Sequence, residues 1–376
     1  MDTLRRSFYW FMLGTVVLFP FQYHLFELHT KTINYLFSPI IFKLAKGIGL
    51  NPYFQDLSSD SKNLFVFVGC IGLLSMLLAL FGFLKKRFNT SELAELTRSI
   101  VSLFLTLILL KYGLDKIFQQ QFPIPEPNLL YTSLGQLDKD ILYWSTMGSS
   151  YSYNLFLGFT EVIAGLLLFL RKTSALGSLA AVFIFINVLA VNLSFDISVK
   201  LFSGLLLLMS FFLARHHLLC IVSTQPAENQ TEQLGYTLKG NVKIQIGIAL
   251  LILAEALFPY FKSANHADEL TLYGAYEAIH NSDNNSLKRI FIHSDNYLIF
   301  QDQNDEMASY RMDHDAVRQT IFIRNEDQGI TTINYKYNPV NSELTLNGIT
   351  DNPLRLRKID HEKLPLLQPL FHWTVD

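Results

Sequence analysis

Residues 153–170 read YNLFLGFTEVIAGLLLFL, an apolar run in which Glu161 is the single charged side chain. At 1.5 Å per residue such a run covers most of the roughly 30 Å hydrocarbon core of a bilayer, so it reads as a membrane helix. A carboxylate inside it needs a physical reason to be there. Comparable runs recur at about Phe8 to Leu28, Leu64 to Leu84, Ile100 to Phe118, Ala175 to Leu193, Ile197 to Leu213 and Ile244 to Phe261. Together they predict about seven spans and a polytopic α-helical membrane protein.

Composition points the same way. Half of the 376 residues are hydrophobic, 16% are charged, and the mean hydropathy is +0.25, all on the membrane side of what soluble domains show. Arg5 and Arg6 precede the first run in the manner of a secretory signal. There is no small-x-small cleavage site, however, and the run continues into Pro20, Tyr23 and His24, so a retained helix is expected. Lys and Arg collect in alternate short connections: Arg5 and Arg6, then Lys85, Lys86, Arg87 and Arg98, then Arg171 and Lys172, then Arg215 and Lys239. The positive-inside rule then puts the N-terminus in the cytoplasm and, with seven crossings, the segment after Phe261 outside. Two longer connections, His29 to Asn63 and Gln119 to Ser152, would face outward, each as a lid or as a solvated connector. Cys70 and Cys220 fall in or beside different runs, towards opposite faces, which argues against a disulfide.

The pattern changes after about residue 262. Up to Phe261 there are 19 basic and 15 acidic residues, and from Lys262 onwards 11 basic and 17 acidic. An acidic, less hydropathic segment without a basic stripe suits a soluble domain and argues against nucleic acid as its partner. Its runs LTLYGAYEAI, KRIFIH, YLIFQD, ASYRM, QTIFIR, TTINYKY, ELTLNG and PLRLRKI alternate with HSDN, QNDE, NEDQG and NPVN. Short strands with polar turns predict an antiparallel β-meander or, closed on itself, a small lipocalin-like barrel. Six histidines are scattered through this segment without metal-ligand spacing, so no metal site is expected. The predicted organisation is a two-span extension over 1–98, a four-helix core over 99–217, a linker and seventh helix over 218–261, and a β-rich domain over 262–376.

Ionisable groups within the apolar runs gather towards their outward halves. Lys111 lies roughly 10 Å below the outer end of the third run, with Asp115 one turn further out on the same face. Glu161 lies near the middle of the fourth run, Asp196 and Lys200 flank the sixth, Glu255 sits in the seventh, and His24 ends the first. A charge near the bilayer centre costs several kcal/mol unless it pairs or reaches water, so these groups are expected to turn inward together. The expected ligand-binding set is Lys111 paired with Glu161, surrounded by Tyr112, Ser149, Tyr153, Asn187, Asn192, Asp196 and Lys200. The competing reading is packing glue between helices, with Gly158, Gly165, Gly177 and Gly204 allowing close approach. The sequence has no Gly-x-Ser-x-Gly, HExxH, CxxC or phosphate-cradling glycine loop, which removes support for hydrolase, zinc-protease, dithiol and nucleotide-driven readings.

The segments KYGLDKIFQQQFP (111–123), YWSTMGSSYSYNLFLGFTEVIAGLLLFLRKTSALG (143–177) and INVLAVNLSFDISVKLFSGLLL (186–207) resemble the DoxX-like membrane family. The resemblance rests on Phe156, Gly158 and Glu161 in an F-x-G-x-x-E helix, followed by Arg171, Thr173, Asn187, Asn192, Asp196 and Lys200. The longer arrangement is similar to a subgroup from Bacteroidetes-type bacteria that carries extra N-terminal spans and a β-rich C-terminal domain. This resemblance implies a four-helix core and a bacterial inner-membrane location with the β-domain in the periplasm. It also implies a link to redox physiology, since some relatives are subunits of thiosulfate:quinone oxidoreductases or are associated with quinol oxidases. The expected ligand is therefore quinone-like or another small hydrophobic molecule, and the expected partners are membrane lipids and an envelope or redox protein. The alternative is a non-enzymatic membrane-anchored scaffold whose β-domain recruits a protein or lipid.

Overall fold

The computed structural model describes residues 2–20, 27–57, 59–84, 89–170, 172–223, 272–279, 287–324, 330–349 and 353–368, together with positions 247, 250 and 254. Their helices are α1 (Asp2–Leu18), α2 (Glu27–Gly47), α3 (Lys62–Leu84), α4 (Thr90–Ile117), α5 (Pro127–Leu130), α6 (Lys139–Ser149), α7 (Tyr151–Phe169), α8 (Ser174–Ser194) and α9 (Lys200–Ser223). The strands follow as β1 (Gly274–Ala278), β2 (Leu287–Ile292), β3 (Tyr297–Asp302), β4 (Met307–Asp315), β5 (Thr320–Arg324), β6 (Ile330–Asn338), β7 (Glu343–Asn347) and β8 (Leu354–Ile359). The chain divides into two compact units, Met1–Gln121 with Ser152–Lys262, and Phe122–Tyr151 with Ser263–Asp376.

In the helical unit, four helices among the described residues are long and apolar enough to cross a membrane: Lys62–Gly82, Thr90–Ile117, Tyr151–Phe169 and Ser174–Ser194. Seven spans are therefore not supported. The first apolar run departs from expectation because its helix α1 stops at Leu18, just before Pro20, whose ring cannot continue it. The expected connector from His29 is instead the 21-residue helix α2, which carries Pro39 within it. Most of the seventh run, Glu255 included, and also His24, Arg171 and the segment around residues 371–373, lie outside the described residues.

Burial on α7 shows why a membrane solvent suits this unit. Asn154, Gly158, Glu161, Ala164, Gly165 and Leu168 form its buried stripe, while Phe156, Phe159, Ile163 and Leu166 are exposed. Apart from Leu168, small and polar groups point inward and large apolar ones outward, the reverse of a water-soluble helix. The core joins α1 (Tyr9, Met12, Leu13), α4 (Leu105, Ile108, Leu109), α7 (Leu168), α8 (Phe185) and α9 (Met209, Leu213). The expected four-helix core, α4 with α7, α8 and α9, therefore shares its interior with α1.

The second unit is a closed antiparallel barrel in which β1 to β8 neighbour one another in chain order, and β8 returns to β1 with Ala275 opposite Ile359. All eight runs expected as strands form strands. Side chains alternate, so Ile290, Ile292, Leu298, Met312, Ile321, Ile333, Leu344 and Leu356 fill the interior. The polar turns are held by side chains that mimic backbone: Asp302 accepts from the amides of Asn304 and Glu306, Asp315 from those of Val317 and Arg318, and Asn338 from that of Val340.

The excursion expected as an outward lid or connector belongs to this barrel unit. Tyr131 stacks on Phe291 at 5.8 Å, the Arg289 guanidinium lies 4.6 Å from the Tyr131 ring, and Gln301 donates to the Tyr131 carbonyl at 3.2 Å. These contacts cover the outward face of β1 to β3, where Ala275, Phe291 and Ile299 would otherwise meet solvent. Glu126 clasps the same edge, accepting from the Ser294 hydroxyl and lying 3.8 Å from His293 Nε2. Burial and the charge of Glu126 push the Tyr273 phenol upward.

Candidate functional site

The densest group of charges in the helical unit lies where α4 crosses α7. Gly113 and Gly158 set that crossing: a Cβ on Gly158 would fall 2.6 Å from the Gly113 carbonyl oxygen, and a Cβ on Gly113 equally close to that of Gly158. Gly165, two turns further along α7, packs against Leu109 and Leu110. Backbone-to-backbone contact without side chains between brings the charged neighbours of these glycines together.

Glu161 is 5% exposed and takes two hydrogen bonds from Lys116 Nζ, at 2.7 and 2.9 Å. Lys116, also 5% exposed, donates further to Gln121 Oε1 at 2.8 Å and lies 5.6 Å from the Tyr112 ring. One turn back, Lys111 is paired with Asp115 by bonds of 2.7 and 3.0 Å, and both are nearly buried. The expected partner of Glu161 is Lys111. In the structure the bidentate partner is Lys116, which lies inside the quoted KYGLDKIFQ segment but was left out of the expected set. The arithmetic that could have found it is simple: two lysines and two carboxylates within a buried region balance, whereas Lys111 with Asp115 and Glu161 leaves a carboxylate over.

The other expected residues are distributed more widely. Tyr112 lies beside the cluster, half-buried. Asn192 on α8 is buried, and its side-chain Nδ2 meets no hydrogen-bond acceptor among the described residues. Asn187 is exposed on the same helix. Tyr153 is half-exposed and stacks on Phe156 at 6.2 Å. Ser149 belongs to the barrel unit and donates to the carbonyl of Thr146 in its own helix. Asp196 and Lys200 form a local pair at 2.7 Å, the helix-end arrangement that their four-residue spacing allows.

Lys200 has a second partner that sequence spacing did not reveal. The Asp60 carboxylate, between α2 and α3, accepts from the backbone amides of Lys200 and Leu201 at 2.8 and 3.0 Å. It thereby caps the N-terminus of α9 from a distant segment. Gly177 confirms another close approach, a Cβ there falling 2.2 Å from the Leu168 nitrogen, whereas Gly204 has open space. Among the described residues no three His, Cys, Asp or Glu side chains come together as a metal site would require.

Chemically, the α4 and α7 cluster offers two ammonium groups, two carboxylates, a phenol and an amide in a setting otherwise built of Leu, Ile and Val. Such a group can hydrogen-bond a polar head and hold or exchange a proton at a carboxylate oxygen.

Known proteins place this chain by sequence alone. No family model matches it, and no solved structure does. The uncharacterized protein YwoB of Bacillus subtilis (strain 168) is similar to it, with 34% identity over 111 residues that make up 30% of this chain and 70% of the relative. With that identity sustained over more than two thirds of the relative's length, the chain belongs to the family of YwoB.

Proposed function

We propose that this chain is a bacterial inner-membrane protein of the DoxX-like type. It spans the bilayer through its apolar helices, with a cytoplasmic N-terminus and a periplasmic barrel, and binds a quinone-like or other small hydrophobic molecule. The binding site is the charged cluster between α4 and α7, and the role is accessory to a redox or envelope process. The observation that carries this reading is the burial of Lys111, Asp115, Lys116 and Glu161 together in an apolar helical unit. Buried ion pairs add little to stability compared with well-packed apolar side chains, so packing alone gives weak reason to keep four charges there. Intramembrane charges are more economically explained by a polar ligand or a proton. Glu161 then accepts a hydrogen bond or proton from the ligand head, and Lys116 holds the carboxylate in place.

The test is native mass spectrometry of the full chain after gentle extraction, comparing wild type, Glu161→Gln and the double variant Lys116→Met/Glu161→Leu. The double variant removes both charges and leaves neither orphaned, so it is expected to fold. Loss of a copurifying quinone from both variants supports the reading. An unchanged set of bound molecules in a folded double variant reduces the cluster to packing glue.

A second reading has an observation of its own. The barrel interior is occupied by the chain's own side chains, with a cleft of about 300 Å³ beside Phe300, Tyr310, Ile323 and Ile333. A filled barrel suits a docking body more than a carrier cup, which favours a membrane-anchored scaffold whose β-domain recruits a protein or lipid partner. Crosslinking in cells through an exposed barrel position separates the readings: a discrete adduct with the cluster charges removed favours the scaffold.

A further inference from the structure

The helix that the apolar runs do not predict, α2, carries three different strips along its length. Ile33, Ser38, Ile41 and Ala45 are buried. Leu36, Ile40 and Leu44, four residues apart on one line of the helix, are 52%, 63% and 44% exposed. With 3.6 residues per turn, this line borders the buried strip on one side and, on the other, the exposed edge that carries Lys43 and Lys46. Glu27 is the single acidic residue of α2, and it pairs with Lys31 at 2.7 Å. Lys46 lies 4.4 Å over the ring of Phe42, and no carboxylate pairs with Lys43 or Lys46 among the described residues. The turn that follows continues the apolar surface, with Tyr53 93% and Phe54 79% exposed. Its backbone is nevertheless pinned. Asn63 Nδ2 donates to the carbonyls of Phe54 and Gln55 at 2.8 and 3.1 Å, the Ser38 hydroxyl donates to the same Gln55 carbonyl, and Asn34 Oδ1 accepts from the Leu57 amide at 2.9 Å. The two aromatic side chains are thus presented outward on a fixed support.

A helix built this way suits neither bulk water nor the bilayer core. Glu27, Lys31, Lys43 and Lys46 within 21 residues oppose a crossing of the hydrocarbon, and α2 is not among the helices apolar enough to make one. A fixed row of large apolar side chains in water would be the kind of patch that marks an interaction surface. The neighbouring span sets its level. Phe37 lies 5.3 Å from Phe67, which is five residues into the span that begins at Lys62 and so about 8 Å along it. Amphipathic helices with lysines on the polar edge bed about 5–10 Å into the boundary between headgroups and acyl chains. We propose that α2 and its turn form a membrane-surface anchor that binds anionic phospholipid. Lys43 and Lys46 meet the phosphate oxygens, Leu36, Ile40, Leu44 and Phe54 enter the upper acyl region, and Tyr53 sits at headgroup level. Anionic lipid attracts each such lysine, and an aromatic ring with a polar tip favours that depth. The anchor is separate from the α4 and α7 cluster, and it rests on the helical unit being membrane-embedded.

The experiment uses the full chain, with Cys70→Ser and Cys220→Ser, in vesicles of phosphatidylcholine alone or with phosphatidylglycerol. Leu36→Cys, Ile40→Cys, Leu44→Cys and Tyr53→Cys each carry a spin label, and depth is read from collisions with oxygen, which enters lipid, and with a nickel chelate, which stays in water. Phe183→Cys on α8, where the native side chain is 70% exposed, is the mid-span control. A control label that meets the chelate freely would overturn the membrane reading and the anchor with it; the remaining outcomes concern the anchor alone. Labels at Leu36, Ile40 and Leu44 are expected to lie together within about 10 Å of the headgroups, and the Tyr53 label shallower. Phosphatidylglycerol is expected to lower chelate access to the Leu44 label severalfold, and Lys43→Gln/Lys46→Gln to abolish that effect. Should the double variant fail to fold, high salt applied to the unsubstituted lysines screens the same attraction and is expected to reverse the effect. Three results would each overturn the proposal: labels that deepen steadily from Leu36 to Leu44 as in a span, labels shielded from both quenchers as beneath a protein partner, and a phosphatidylglycerol effect that is absent or indifferent to both lysines and salt.

Discussion

Lys116 carries more of the helical site than any other residue, because its ammonium group satisfies Glu161 in a setting where little else can. Lys116→Met leaves that carboxylate without its bidentate partner and is expected to cost about 3–5 kcal/mol, the usual penalty for breaking a buried pair. Adding Glu161→Leu should recover most of the loss. Unfolding of both variants in detergent measures this, and equal destabilisation by single and double variants would contradict the coupling. In the barrel, His314 Nε2 and the Tyr335 hydroxyl are 2.7 Å apart. Burial lowers the His314 pKa from its ordinary 6.5 and raises that of Tyr335 from 10.0, so both groups favour their neutral forms. For His314 the unfolded chain binds the proton more readily, so stability is lost as pH falls through 6.5 towards the folded value. For Tyr335 the unfolded chain releases its proton more readily, so stability is lost as pH rises through 10.0. Hydrogen exchange of barrel amides should show that protection falls on acidification from pH 7 to 5, and that His314→Gln flattens this dependence.

At the scale of elements, close helix approach and remote capping have separate signatures. Gly158 sits against the Gly113 carbonyl with no room for a Cβ, so Gly158→Ala is expected to destabilise the α4 and α7 crossing by about 1–3 kcal/mol. It should also weaken the pair that this crossing brings together. Gly204→Ala faces open space and serves as the control, with a change within the range of ordinary surface substitutions. For α9, Asp60→Ala removes the acceptor of two backbone amides and should cost about 1 kcal/mol. Asp60→Asn is expected to restore much of that, since an amide oxygen still caps while the charge is gone. A loss shared equally by both variants would instead assign the effect to the Lys200 ion pair, in which Nζ lies 3.8 Å from Asp60.

For the molecule as a whole, the proposed topology predicts that a reporter active only in the periplasm works when fused after the barrel and fails when fused before Asp2. The opposite pattern would overturn that orientation. The two units were legible in the sequence to different degrees. Every strand of the barrel was readable, because alternation of apolar residues and Asx-rich turns is a local pattern, and Asp302, Asp315 and Asn338 hold their turns with contacts two to four residues away. The presence of apolar helices and of buried charge in α4 and α7 was likewise set by composition over short windows. What pairs with what was not local. Lys116 and Glu161 are 45 residues apart, and Asp60 caps a helix that begins 140 residues later. Helical spacing specifies which face a residue occupies but not which helix that face meets, so only tertiary packing through Gly113 and Gly158 could choose Lys116 as the partner. The same limit explains α2 and the excursion over Tyr131. Both read as connectors from their polarity, and their ordering depends on distant apolar surfaces, Phe67 beside Phe37 and Phe291 beneath Tyr131.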